Sequence, residues 1–165
     1  MDTRTSEVIQ KVHELFRKEG LTLSVAESCT GGLISHYITA FPGASNFFEA
    51  AVVSYSAEAK RTLLGISSET VSKYGVVSDQ TGREMAEKVR KLARTDFSLS
   101  TTGNLGPDIL EGKEKGLVYI SVSRAGGISS RELRLKGNRE ENKEEAALGA
   151  LEFLLKTAEE YLYKS

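Results

Sequence analysis

The sequence predicts an α/β protein: a three-layer α/β/α sandwich around a mixed sheet, as a single domain over residues 1–165. Three observations lead there. Helical and strand periodicities alternate through the first half of the chain. Three strand-like runs then follow one another before a closing helix. No linker, internal repeat or low-complexity tract divides the 165 residues, a length sufficient to bury a core.

The elements follow from local chemistry. Val8, Val12, Leu15 and Phe16 share one helical face, and Gly20 stops that helix. "LTLSV" alternates as a strand with Leu21, Leu23 and Val25 on one side. Leu33, Ile34, Tyr37, Ile38 and Phe41 form a second helical stripe, ended by Pro42-Gly43. "FFEAAVVSYS" reads as a strand and "AEAKRTLLG" as a short helix capped by Gly65, with another short helix around Glu69–Tyr74. Ser78 caps a longer helix to about Arg94. "DFSLSTTG", "GLVYISVS" and, after a Gly126-Gly127 turn, "RELRLK" are strands. Asn138-x-x-Glu141 opens the last helix with a capping-box pattern, and Leu148, Leu151, Leu154, Leu155 and Leu162 follow. Residues 104–116, "NLGPDILEGKEKG", form the longest irregular stretch.

Composition narrows the function. Net charge is −1 and the pI is near 6.2, which argues against nucleic-acid binding as the main business. The opening "MDTRTSEVIQ" lacks a signal-peptide pattern and no apolar run approaches a membrane span, so no membrane association and a cytoplasmic location are expected. Cys29 is the single cysteine, which excludes a disulfide within the chain. His13 and His36 are the two histidines. His13 reads as solvent-facing and His36 as lying beside the second stripe, so neither a Ser-His-Asp arrangement nor a metal site is expected.

One stretch carries chemistry. "VAESCTGG", residues 25–32, sits where a strand hands over to a helix. Helix N-termini offer unpaired N–H groups that stabilise anions, and glycines admit a ligand close to the backbone. On pattern alone, Ser28 or Thr30 serves equally well as an N-cap or within an active site. A nucleophilic serine needs a base, and with histidine set aside lysines and carboxylates remain. Lys60, in "SYSAEAK" near Tyr55, follows the second strand. In a parallel arrangement it opens on the same sheet edge as Ser28. On spacing alone a solvated helix lysine is the commoner outcome.

The blocks "AESCTGGLIS", "FPGAS", "VVSYSAEAKRTLLGI", "YGVVSDQT", "TTGNLGP", "GLVYISV" and "GNRE", in that order over roughly residues 20–155, resemble the CinA C-terminal domain family. Characterised members of that family are nicotinamide-mononucleotide deamidases. The resemblance implies a stand-alone form that hydrolyses the nicotinamide carboxamide to nicotinate mononucleotide and ammonia, in pyridine-nucleotide salvage, with no cofactor or metal.

By the same resemblance, Ser28 is the nucleophile, Lys60 its base, and Tyr55 lies close to the pair. Thr102 and Gly103 supply oxyanion donors, and Thr30, Gly31 and Gly32 shape a donor site around Ser28. Ser45 contacts the nucleotide, Arg139 meets the phosphate, and Cys29 only packs. The partner implied is a small-molecule nucleotide, and a homo-oligomer is expected from the family and from the leucines of the last helix. The chain departs from the family pattern at its rim: Asn104 and Leu105 follow Gly103, Asp108, Ile109 and Leu110 replace a glycine-rich run, Asn138 replaces an acid, and Asn142-Lys143 stand where an arginine is frequent. Those departures keep a rival reading open, a non-catalytic nucleotide-binding or protein-interaction module linked to competence or DNA-damage responses.

Overall fold

In the computed structural model, which describes residues 1–164, five strands form one mixed sheet. They are β1 (Leu23–Glu27), β2 (Phe48–Val53), β3 (Phe97–Gly103), β4 (Leu117–Arg124) and β5 (Gly127–Arg134), in the spatial order β2-β1-β3-β4-β5. β1 runs parallel to both β2 and β3, whereas β4 and β5 continue the sheet antiparallel. The chain therefore leaves β1 toward β2 on one side and returns to β3 on the other. That reversal opens a crevice beyond the carboxyl ends of β1 and β3, where α/β sheets bind ligands.

Helices α1 (Thr3–Lys18), α2 (Leu33–Thr39) and α6 (Arg139–Tyr163) cover one face. Helices α3 (Ala57–Leu64), α4 (Ser68–Tyr74) and α5 (Asp79–Ala93) lie on the other, where α5 packs across the strands and α3 and α4 pack on α5. Strand alternation gives the two faces different chemistry. Leu23, Val25, Phe97, Leu99, Val118, Ile120 and Val122 point into the main core with Ile9, Phe16, Ile34 and Leu151. Each such side chain, fully buried, contributes roughly 1.5–3 kcal/mol. The opposite face carries small residues. Ser98 and Ser100 donate to the carbonyls of Ala86 and Gly82 on α5. A Cβ on Gly82 would stand 3.3 Å from Ser121 Oγ, so a glycine there lets α5 lie close to the sheet.

The strand and helix expectations are met within a few residues, with four corrections. β1 is buried along its whole length, because both faces are covered, so its alternation separates two interiors rather than inside from outside. A single 3₁₀ turn at Ala44–Asn46 was not anticipated. His13 is 4% exposed, not solvent-facing: its Nε2 lies 2.8 Å from Ile38 O and its ring meets Phe47 edge-on. The buried face of α1 is wider than the stripe suggested, since α2, α6 and the Phe41–Phe47 connection all press on it. Finally, Leu148, Leu151 and Leu154 of α6 are spent in the chain's own core, so this stripe carries no argument for assembly. No helix among the described residues is long and apolar enough to cross a membrane.

Candidate active site

The end of β1 and the start of α2 are joined by Ser28 to Gly32. Ser28 is held at both backbone ends: its N–H donates to Thr101 O at 3.1 Å, and its carbonyl accepts from Gly31 N at 3.0 Å. Gly31 (φ 57°) and Gly32 (φ 104°) adopt left-handed backbone, which a side chain would strain. Neither Ser28 nor Thr30 caps α2. Gly32 is the N-cap, without a side-chain bond, and the carboxylate of Glu27 reaches in to accept from Gly32 N, Ile34 N and Ser35 N.

Lys60 arrives from the opposite layer. Ser56 caps α3 by accepting from Ala59 N, and the first turn of that helix turns Lys60 inward. Lys60 is 1% exposed and Ser28 is 7% exposed. Lys60 Nζ lies 2.8 Å from Ser28 Oγ and donates to Ser54 O at 2.8 Å and Tyr55 O at 3.4 Å. Burial pushes the Lys60 pKa down from 10.5 to about 8, against an opposing pull from Glu111. A Cys29 thiolate would also oppose it, but burial pushes the Cys29 thiol up to about 12, so that thiol is neutral where Lys60 titrates.

Three oxygens surround Lys60 Nζ: Ser28 Oγ, Ser54 O and Tyr55 O. A charged amine donates to all three, whereas a neutral amine that keeps the two carbonyl contacts has a lone pair available to the Ser28 hydroxyl. The solvated-lysine alternative does not apply to this side chain.

Backbone donors are distributed differently from the sequence expectation. Gly31 N and Gly32 N are engaged by Ser28 O and Glu27, and the Thr30 hydroxyl donates to Glu27 at 2.6 Å. These groups shape the turn but have no N–H of Gly31 or Gly32 left for a ligand. Asn104 N donates to Leu117 O on β4, and strand alternation then turns Thr102 N into the β4 ladder and Gly103 N back toward Ser28. Among the described residues the amides of Cys29 and Thr30 make no hydrogen bond, and Gly103 N, opposite Val118 at a non-hydrogen-bonded position of the ladder, faces away from β4. The Cys29 amide is a free donor that sequence reasoning missed; the signal was its place directly after Ser28 in a strand-to-helix turn.

A cleft of ≈ 120 Å³ opens on Ser28, lined among others by Tyr55, Val77, Thr102, Gly103, Leu105 and Arg139. Tyr55 is 60% exposed at its mouth. Arg139 straps that mouth, with Nη1 donating to Gly106 O at 2.6 Å and Nη2 to Tyr55 Oη at 2.8 Å. Thr102 Oγ1 is turned away, donating to Val76 O. Ser45 does not reach this cleft: it lies in the 3₁₀ turn before β2, at the opposite end of a strand whose carboxyl end leads to Tyr55.

The rim is tightly built. Asn104 donates through Nδ2 to Asp108 O and Lys113 O and accepts Gly106 N, which folds residues 104–116 on themselves. Glu111 accepts from Val76 N and Val77 N, and Asn142 donates to Leu105 O, so the loop is anchored to the segment before α5 and to α6, and of the departures from the family pattern Asn104 and Asn142 hold it in place. No group of histidine, cysteine and carboxylate side chains among the described residues is arranged to hold a metal.

Comparison with known proteins agrees with this architecture. The model of the CinA C-terminal domain matches residues 5–158. A CinA-like protein of Flavobacterium psychrophilum is 40% identical over 156 residues, 94% of this chain and 37% of its own length. A protein of Caldicellulosiruptor saccharolyticus, described as competence-damage inducible, is 44% identical over 98% of this chain and 39% of its own length. The chain thus spans under two-fifths of these curated relatives. The crystal structure of a competence or damage-inducible protein from Enterobacter asburiae superposes with a TM-score of 0.92 at 31% identity, covering 95% of this chain and 99% of that one. A competence/damage inducible protein from Agrobacterium tumefaciens gives 0.91 at 33% identity, over 94% and 96% of the two chains. With the family model matched along nearly its whole length, and with the same fold in those structures, this chain belongs to the CinA C-terminal domain family.

Proposed function

We propose that the protein is a serine amidohydrolase that converts nicotinamide mononucleotide to nicotinate mononucleotide and ammonia. The observation that carries this reading is the buried Lys60 amine 2.8 Å from Ser28 Oγ, with Ser54 O and Tyr55 O orienting it. Such a pair needs no histidine.

In this mechanism the Ser28 proton passes to Lys60 Nζ as Oγ attacks the carboxamide carbon. The tetrahedral oxyanion takes hydrogen bonds from the amides of Gly103 and Cys29, each such donor typically contributing about 3–4 kcal/mol to the transition state. Lys60 then returns the proton to the departing nitrogen, the C–N bond breaks and ammonia leaves, with the acyl group esterified to Ser28. Water enters, gives a proton to Lys60 as it attacks the ester, and collapse restores the Ser28 hydroxyl and frees the acid.

The cleft of ≈ 120 Å³ suits a planar carboxamide and its ring better than a whole nucleotide, since sites that enclose a ligand entirely run to about 300–1,000 Å³. The ribose phosphate therefore lies along the mouth, within reach of Arg139, whose present partners are the neutral Gly106 O and Tyr55 Oη. A phosphate competes well for that guanidinium.

The test is product analysis after incubation with nicotinamide mononucleotide. Nicotinate mononucleotide and ammonia in equal amounts support the reading. Free nicotinamide, or no turnover while the nucleotide binds, contradicts it; the latter outcome supports a binding module of the competence or damage response.

A further inference from the structure

We propose that Glu27 is the positioning residue of the Ser28–Lys60 pair: its carboxylate ties the turn that carries Ser28 to the start of α2 and so holds the Ser28 hydroxyl toward Lys60. This inference rests on the Ser-Lys reading above.

Glu27 is the last residue of β1 and is 0% exposed. Five donors converge on its carboxylate. Oε1 accepts from Thr30 Oγ1 at 2.6 Å, Gly32 N at 3.2 Å and Ile34 N at 3.0 Å. Oε2 accepts from Ser35 N at 3.0 Å and Ser35 Oγ at 2.6 Å. Among the described residues no lysine or arginine pairs with it. Burying a carboxylate is costly unless donors surround it, and here the first turn of α2 and two hydroxyls do so.

A cap alone does not account for this arrangement. Serine and threonine hydroxyls cap helices without burying a charge, whereas α2 starts at a bare Gly32, with Ser28 four residues upstream and a buried carboxylate collecting the first-turn amides. Instead Thr30 Oγ1 is shared between Glu27 and Thr101 Oγ1 at 2.8 Å, and Ser28 N–H rests on Thr101 O. The network ties β1, the turn, α2 and β3 together around one serine. With Thr30, Thr101 and the first turn of α2 bonded into one network, the backbone of Ser28 is fixed and its hydroxyl meets Lys60 Nζ. Glu27 does not line the cleft, so it acts through Ser28 rather than on a substrate.

The experiment compares wild type with Glu27→Gln, Ser35→Ala and His13→Ala. His13→Ala removes a buried hydrogen bond to Ile38 O remote from the cleft and serves as a control for simple loss of stability. Two rates are read well below each melting temperature: phosphonylation of Ser28 by a fluorophosphonate probe, located by mass spectrometry, and steady-state ammonia release from nicotinamide mononucleotide.

Glu27→Gln presents an amide N–H where the site supplies donors. It is expected to lose about 100-fold in labelling and in kcat, with KM within about threefold, the scale expected for a nucleophile displaced by about an ångström. Ser35→Ala, which removes one donor and keeps the carboxylate, is expected to lose less, about threefold to tenfold. His13→Ala, at a similar melting temperature, keeps the wild-type labelling rate. Glu27→Gln labelling like His13→Ala would overturn the proposal, and if Glu27→Gln does not fold, a wild-type labelling rate in Ser35→Ala does the same. Wild type that labels at Ser28 without releasing ammonia contradicts the substrate assigned above, while the labelling series still decides the role of Glu27. Wild type that neither labels nor turns over removes both.

Discussion

Lys60 Nζ stands 2.8 Å from Ser28 Oγ with only 1% of the lysine and 7% of the serine exposed, and among the described residues no carboxylate forms an ion pair with the lysine. A lysine in that position is contacted by dipoles, with Glu111 the carboxylate that acts on it from farther away. Two carbonyls satisfy its hydrogens, and burial disfavours its charge. Both the proposed catalysis and a measurable stability effect follow from this one contact.

In the proposed mechanism the active form of Lys60 is the neutral amine. With a pKa of about 8, about one chain in ten carries neutral Lys60 at pH 7, and nearly all do above pH 9. The rate of ammonia release is expected to climb about tenfold per pH unit below 8 and to level off above it. Lys60→Arg, which stays protonated, is expected to show no such limb and no turnover above background. A flat pH profile in wild type between 6 and 9 would exclude Lys60 as the base.

Stability carries the same pKa with a definite sign. The folded value, about 8, lies below the ordinary 10.5, so the unfolded chain binds more protons between those values. Burial of Lys60 therefore costs stability fully below pH 8, and the cost fades as pH rises to 10.5. The shift corresponds to about 3 kcal/mol. Relative to wild type, Lys60→Met is expected to be more stable at pH 7 than at pH 10.5 by about that amount, read as the difference between two denaturant titrations. An unchanged difference between the two pH values would mean that the lysine is not desolvated in the fold.

Gly103 is tightly packed, and in the proposed mechanism its amide serves the oxyanion. A Cβ there would meet Val118 Cγ2 at 2.7 Å and Leu117 O at 2.8 Å, so the end of β3 must move to admit one. Gly103→Ala is expected to cost about 1–3 kcal/mol in stability and, through displacement of the oxyanion donor, about 100-fold in kcat. Thermal melts and steady-state kinetics on the same preparation separate the two effects. Wild-type kcat in a destabilised Gly103→Ala would remove Gly103 from the oxyanion site.

Much of the fold was legible in the sequence because its signals are local. Ser56 and Ser78 sit before helical stripes and do cap α3 and α5, and Asn138 with Glu141 forms the capping box its spacing suggests. The site was legible less evenly. Ser28 and Lys60 are 32 residues apart, and only the crossover from β1 through α2 to β2 and α3 brings them together. No periodicity records that juxtaposition, and the family resemblance supplied it.

What stayed hidden was long-range or polar. His13 reads as solvent-facing because it follows Val12 outside the stripe of Val8, Val12, Leu15 and Phe16, yet Ile38 O and two phenylalanines make it a core residue. Glu27 has no role assigned from the sequence because its five donors lie on a turn and helix whose path the sequence does not give. Ser45 was drawn to the site by its motif, although β2 separates it from the cleft.

The most direct measurement is ammonia release from nicotinamide mononucleotide by wild type, Ser28→Ala and Lys60→Ala side by side, with circular dichroism showing all three folded. The account predicts turnover in wild type and a loss of at least about 1,000-fold in each variant, the two single losses being of similar size because the residues act as a unit. Turnover that survives in either variant, or no turnover in wild type, would contradict a Ser28–Lys60 amidohydrolase.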